Sequence, residues 1–335
     1  MCKIGIPRGM LFYDYYPLWA EFFEELGAKV VVSPKSNKEI LNSGVLSCVD
    51  ECCLPVKVFH GHVDYLKDKV DYIFIPKIIS IRKMEYCCPK ILGLPDMVKF
   101  SIEDLPPIID TNINLRKNSY TSSKYKKAVY EAGKCVIKNS SKIRNAYKKA
   151  EESYQRYLYL LSKGVIPIEA IKMYNKTFVD LNYNSKKHDM SIMVVGHPYN
   201  IYDEYLNMNI ISKLINKGIK VMTPEMVNKD EIIYYSAQLP KRMFWTYGRR
   251  IVGSAFSLIE RDEVDGIIYL SSFGCGIDSI LIDLIERKAK NKGIPFTLLT
   301  LDEQTGEAGI DTRVEAFIDM MKWRDKDDFN ISTLR

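Results

Sequence analysis

The segment "SCVDECCLPVKVFHGHVDYL", residues 47 to 66, carries three cysteines and two histidines, and a second pair of adjacent thiols, Cys87 and Cys88, stands in "EYCCPKILG". Another cysteine, Cys275, lies in "YLSSFGCGIDS". Thiols so placed can be small buried apolar residues, disulfide partners, redox groups or metal ligands. The start "MCKIGIPRGM" reads as a strand without a charged leader, so a cytoplasmic setting is expected, and there the eight cysteines are expected to be reduced. Cys2 and Cys135, in a first strand and a basic helix, read as small hydrophobes. Cys53, Cys88 and Cys275 differ, because each has Pro or Gly beside it, turn chemistry that exposes backbone N–H groups to a thiolate and its metal.

Zinc is one such metal, and Cys52 or Cys53 with His60 and His62 offers local ligands. The spacing argues against it: there is no CxxC knuckle, and histidines at i and i+2 of a helix face apart. His60 and His62 therefore read as packed helix residues. An iron–sulfur cubane takes thiolates scattered through a fold as readily as a local run.

The elements that must position these thiols alternate. "KIGIPR" reads as a strand, "LFYDYYPLWAEFFEELG" as a helix ending at Gly27 and "AKVVVSP" as a buried strand; "LPVKVFHGHVDYLKD" reads as a helix opened by Pro55, and "VDYIFIPKI" as the next buried strand. A polar helical stretch follows from about residue 122 to 176. Then come strand "SIMVVGHP", helix "EYLNMNIISKLINKG", strand "IKVMTP", a helix around "WTYGRRIVGSAFSLIER", strand "VDGIIYLSSF", helix "DSILIDLIERKAKNKG", strand "IPFTLLTLD" and a last helix capped by Asp311 or Thr312. This alternation predicts an α/β protein of two Rossmann-like lobes with parallel sheets, residues 1–118 and 188–335, joined by a helical insertion, residues 119–187. Ligands of such folds collect beyond the carboxyl ends of the strands, which is where Cys53, Cys88 and Cys275 fall.

The rest of the composition excludes more than it assigns. No apolar run reaches the roughly 18 residues of a membrane span, and no GxxxxGK[ST] occurs, so ATP hydrolysis by the P-loop route is not expected. Much of the net charge of +6 sits in residues 122 to 150, where nine Lys or Arg face one Glu. A solvated helix face explains this stretch, with docking of an acidic partner or a phosphate-bearing ligand as the alternative. Nothing there reads nucleic acid.

The segments "IGIPRGMLFYDYYPLWAEFFEELGAKVVVSP", "CVDECCLPVKVFHGHV", "GHPYNIYDEYLNMNI", "FWTYGRRI" and "FGCGIDSILIDLIERKAKNKGIPFTLLTLDEQTGEAGIDTRVEAFIDM" resemble the acyl-CoA dehydratase activase-related proteins. That family is kin to the D-component of 2-hydroxyacyl-CoA dehydratases, to benzoyl-CoA reductase subunits and to double-cubane cluster proteins. The resemblance implies an oxygen-sensitive protein of anaerobic metabolism with a [4Fe–4S] cubane on Cys53, Cys88 and Cys275, fed low-potential electrons by an ATP-hydrolysing activase. It further implies a homo- or heterodimer, with an acyl-CoA or a small molecule as substrate. Three thiolates leave one iron open, as a reductase or a dehydratase-type lyase component requires. The extra thiols Cys48, Cys52 and Cys87 depart from the simple pattern and bring the number to what a double-cubane [8Fe–9S] cluster would need. A non-catalytic electron relay or cluster carrier is the third alternative.

Within the implied crevice, His197 is placed as a proton donor, with Tyr199 and Asp203 to orient it and Asn207 close by; capping a helix or closing a turn before Pro198 is the alternative for this histidine. Gly274 and Gly276 offer backbone N–H groups to a cluster sulfur or to an anion. Glu303, Glu307 and Arg313 form a charged group near the last strand end, with Arg313 expected to pair a glutamate.

Overall fold

The computed structural model describes residues 1–117, 123–175 and 188–332. The chain opens with β1 (Lys3–Ile6), α1 (Phe12–Glu25), β2 (Lys29–Val32), α2 (Lys38–Leu46), α3 (Leu54–Leu66) and β3 (Tyr72–Phe74). It continues through β4 (Lys77–Ser80), α4 (Pro89–Ser101), β5 (Ile108–Ile109) and β6 (Asn112–Asn114). Three helices follow: α5 (Ser123–Lys134), α6 (Ser140–Ser162) and α7 (Pro167–Met173). The remainder is β7 (Ser191–Gly196), α8 (Pro198–Ile201), α9 (Ile210–Asn216), β8 (Lys220–Met222), α10 (Lys229–Ser236), α11 (Thr246–Glu260), β9 (Gly266–Ser272), α12 (Asp278–Asn291), β10 (Phe296–Leu301) and α13 (Glu307–Ser332).

Two parallel sheets result, with orders β2-β1-β3-β5 and β10-β9-β7-β8. Read from opposite edges, they are the same order: the first strand of each lobe lies between its second and third. Strand order therefore reverses beside β1 and beside β7, and a doubly wound sheet opens a crevice at that point. The expected two-lobed α/β architecture is what the chain adopts. Its apolar runs explain the burial: β9 is buried at every position and β7 at all but its first. No helix among the described residues is long and apolar enough to cross a membrane.

Helices α5 to α7 pack beside the first lobe through α1, whose rings Trp19, Phe22 and Phe23 also meet Phe74 of β3 and Tyr147 of α6. The basic stretch is thus an amphipathic helical layer, with Ile143, Ala146 and Ala150 inward. Helices α2 and α3 cross so closely that a Cβ on Gly44 would stand 1.9 Å from the Lys57 carbonyl oxygen, and one on Gly61 1.9 Å from that of Ile40. Only glycine permits that approach, and it fixes where α3, and hence Cys53 at its head, sits.

Three expectations change. The helix predicted from Glu204 to Gly218 is broken into a turn and α9, because Met208 and Asn209 take left-handed backbone angles, φ 54° and 58°. The last helix starts at Glu307, ahead of Asp311 and Thr312. Helices α2, α4, α8 and α10, strand β5 and the small sheet of β4 with β6 were not foreseen; most are short segments that carry little periodicity.

Candidate functional site

Two of the three singled-out thiols stand at helix starts. Cys53 caps α3 in extended backbone (φ −67°, ψ 152°), with Pro55 in the first turn, and Cys88 caps α4 (φ −53°, ψ 142°) just before Pro89. Pro89 directly after Cys88 favours extended backbone there, and Pro55 suits the first turn of the helix that Cys53 caps. Cys275 follows β9 through Gly274, whose φ of 73° suits glycine, and its N–H bonds the Ser272 carbonyl at 3.1 Å. A Cβ on Gly276 would meet only open space. All three thiols are free and half-buried.

All three act electrostatically on one ring. Tyr199, in α8, is buried, and its phenol is pushed well up by that burial first, then by Cys275, Asp278, Cys53 and Cys88. Cys53 is itself raised by burial; the Lys90 ammonium and the Val56 N–H work in the opposite direction.

His197, the cap of α8, lies flat against Tyr199 with ring centroids 4.9 Å apart and planes 5° from parallel. Its Nε2 is 3.3 Å from Oδ1 of Asp278, and both side chains are buried. Burial alone would push this imidazole down, but the Asp278 carboxylate, helped by Cys275, lifts it to about 10 and so favours its charged form. Asp278 opens α12 and receives hydroxyl bonds from Tyr269 (2.8 Å) and Ser271 (3.0 Å). Burial raises its pKa, and His197 with these hydroxyls lowers it further than burial lifts it. One ligand atom each from His197, Cys275 and Asp278 lies within 4.8 Å of the others. Tyr247 meets the His197 ring at 5.6 Å and donates to Asp14 at 2.7 Å.

Asp203 does not orient His197. Ser36 donates to its Oδ2, and the N–H groups of Tyr205 and Leu206 bond its Oδ1 at 3.1 and 3.2 Å, so it ties the second lobe to the first. Asn207 closes the end of α8 by donating to the carbonyls of Asn200 and Ile201. Arg313 bonds the Leu298 carbonyl instead of a glutamate, Glu303 pairs with Lys57, and Glu307 pairs with Lys213. Asp278 was missed as a site residue although it lies three positions after Cys275; in sequence it read only as the first residue of a helix. Tyr247 carried no signal at all.

The additional thiols neighbour these. Burial leads in pushing Cys48 up to about 12, and Cys52 beside it adds to the rise. Cys87, also pushed to about 12 by burial first, faces Asp14 and Glu85 as well as its neighbour Cys88. His60 bonds the Val56 carbonyl at 2.8 Å and His62 the Ser36 hydroxyl at 3.0 Å. Both are buried helix residues, as their spacing suggested.

The donor set suits a cubane. Three free, half-buried thiols come from three turns, two of them at helix starts, and cubane irons take thiolates scattered in this way.

The family described as CoA enzyme activase uncharacterised domain (DUF2229) matches residues 3–227. The chain therefore belongs to that family. The match takes in Cys53, Cys88, His197 and Tyr199 and ends ahead of Cys275 and Asp278.

Proposed function

We propose that this member of the CoA enzyme activase-related family holds a [4Fe–4S] cubane on Cys53, Cys88 and Cys275 and takes single low-potential electrons from an ATP-hydrolysing partner, for reduction or radical dehydration of a small molecule or acyl-CoA. The observation that carries this reading is the placement of three free thiols at the heads of α3 and α4 and in the turn after β9, all within electrostatic reach of Tyr199. When bound, the group would supply one-electron chemistry and one iron with an open position. Under this reading the chain is kin to the 2-hydroxyacyl-CoA dehydratase components and benzoyl-CoA reductase subunits.

The chain's own residues supply charge and shape. His197, kept protonated by Asp278, presents an N–H beside Cys275 and can give its proton to a basic atom of a ligand in the crevice. Tyr199 covers one face of that imidazolium and Tyr247 meets its edge, which keeps water from it. Ser272 donates to Asn200 at 2.8 Å, holding the turn that carries Cys275 against α8. In the double-cubane alternative Cys48, Cys52 and Cys87 would join the ligands, Cys52 and Cys87 being adjacent in sequence to Cys53 and Cys88.

A second reading rests on the approach of His197, Cys275 and Asp278: a single divalent ion such as zinc on those three side chains. Iron and acid-labile sulfide analysis, with an EPR spectrum of dithionite-reduced protein purified without oxygen, separates the two. About four irons per chain and a cubane signal are expected. Colourless, iron-free protein after reconstitution would sink the cluster reading, and one equivalent of zinc would establish the second.

A further inference from the structure

Away from the thiols, a cavity of about 430 Å³ opens between the lobes, bounded by Arg8, Tyr13, Lys35, Lys172 and Tyr205 among others; no cysteine lines it. We propose that it binds a small organic oxyanion, a phosphate or carboxylate on an apolar or aromatic body, with Arg8 as the anion's partner.

Position is the first argument. Arg8 follows β1 within two residues and Ser33 follows β2 directly, so the cavity lies beyond the carboxyl ends of two adjacent parallel strands, where doubly wound sheets take their ligands. By topology Arg8 is to the first lobe what His197 is to the second. That equivalence places a second chemical group at a strand end that the thiol crevice does not use.

The second argument is how Arg8 is held. Its backbone N–H bonds Ser33 Oγ at 2.8 Å, its Nε bonds the Ser33 carbonyl at 3.2 Å, and the guanidinium lies over the Phe12 ring at 5.0 Å. These contacts fix the plane of the group and leave both terminal nitrogens without a hydrogen bond or ion pair among the described residues. The nearest acid does not serve: both oxygens of Asp203 are occupied by Ser36 and by the Tyr205 and Leu206 N–H groups. Lys35 is paired with Glu204, and Lys172 with Glu169 at 2.7 Å, so neither acid is free for Arg8. A guanidinium is always charged, and its planar fork fits a carboxylate or phosphate through two parallel bonds.

The third argument is the wall. Phe12, Ile168 and Ile171 with the rings of Tyr13, Tyr202 and Tyr205 provide apolar surface, and three cations stand against two carboxylates. The volume lies within the range of small-molecule sites. An apolar body would rest on these rings while its anion meets Arg8.

The test is calorimetric titration of the full chain with phenyl phosphate, benzoate and inorganic phosphate, for wild type and the variants Arg8→Gln, Arg8→Lys and Ile171→Trp. Saturable binding of phenyl phosphate or benzoate is expected, weakened at least about tenfold by Arg8→Gln and partly restored by Arg8→Lys. The tighter of the two ligands identifies the oxyanion. Ile171→Trp, which narrows the cavity without touching Arg8, should weaken both aromatic ligands and spare inorganic phosphate. Circular dichroism reports whether each variant is folded, and iron content should not change, so a negative result here leaves the cluster reading standing. Equal affinity in wild type and folded Arg8→Gln, or no saturable binding of any of the three at millimolar concentration, would overturn the site.

Discussion

The two lobes share a strand order, yet each buries a histidine in a different way. In the second lobe His197 sits against Asp278, itself held by two hydroxyls, and is lifted to about 10. In the first, His62 faces Ser36 and the charge of Arg8, and burial first, then that charge, hold it at about 3. The same side chain is a fixed cation in one lobe and a neutral ring in the other. What decides is whether a carboxylate lies within ion-pair distance; Asp203 is one hydroxyl away from His62, with Ser36 between them. A buried charge is tolerated only with its partner, and the partner comes from tertiary structure.

The thiols divide in a similar way. Cys53, Cys88 and Cys275 all act on the Tyr199 phenol, whereas Cys48 is raised by burial and Cys52, and Cys87 by burial, Asp14, Cys88 and Glu85. The largest expected effect follows from this. Single Cys→Ser changes at 53, 88 or 275 should drop bound iron to background, while the same change at 48, 52 or 87 should leave most of it, as measured by iron analysis and visible absorbance. If removing Cys52 or Cys87 halved the iron, those thiols would belong to a second cluster.

Next in size is Asp278→Asn, which leaves His197 buried without its counter-charge. Loss of about 3–5 kcal/mol is expected by urea denaturation. Because the His197 pKa is raised, the stability from this pair is complete below the ordinary histidine value and is lost as pH rises through about 10. That loss should be absent in Asp278→Asn, and a variant as stable as wild type would show that the pair is not formed.

The last test concerns the opposite histidine, one pH unit at a time. With its folded pKa depressed to about 3, His62 contributes stability above its ordinary value that drains away as pH falls. The slope should be about 1.4 kcal/mol per pH unit until about pH 3. His62→Gln should flatten this part of the stability curve; an unchanged slope would locate the acid sensitivity elsewhere.

Much of the architecture was legible in the sequence. Runs such as "IMVVG" and "GIIYLSS" are apolar without alternation because β7 and β9 are covered on both faces, and their spacing by helices dictated parallel strands. Turns beside Cys53, Cys88 and Cys275 were legible because Pro and Gly act locally. The break between α8 and α9 was not, since Met208 and Asn209 adopt left-handed angles that their types do not demand. Nor were the partners in the site: Asp203 looked closer to His197 in the chain than Asp278, and yet it serves Ser36 in the other lobe.

By itself, then, the sequence determined the longer strands and helices and where three thiols stand relative to their ends, because periodicity and turn chemistry operate over a few residues. The tertiary structure alone decided that those thiols lie within electrostatic reach of one ring, that Asp278 pairs with His197, and that Arg8 keeps an open edge. Those relations are set by how two sheets and their helices pack, and no local pattern encodes them.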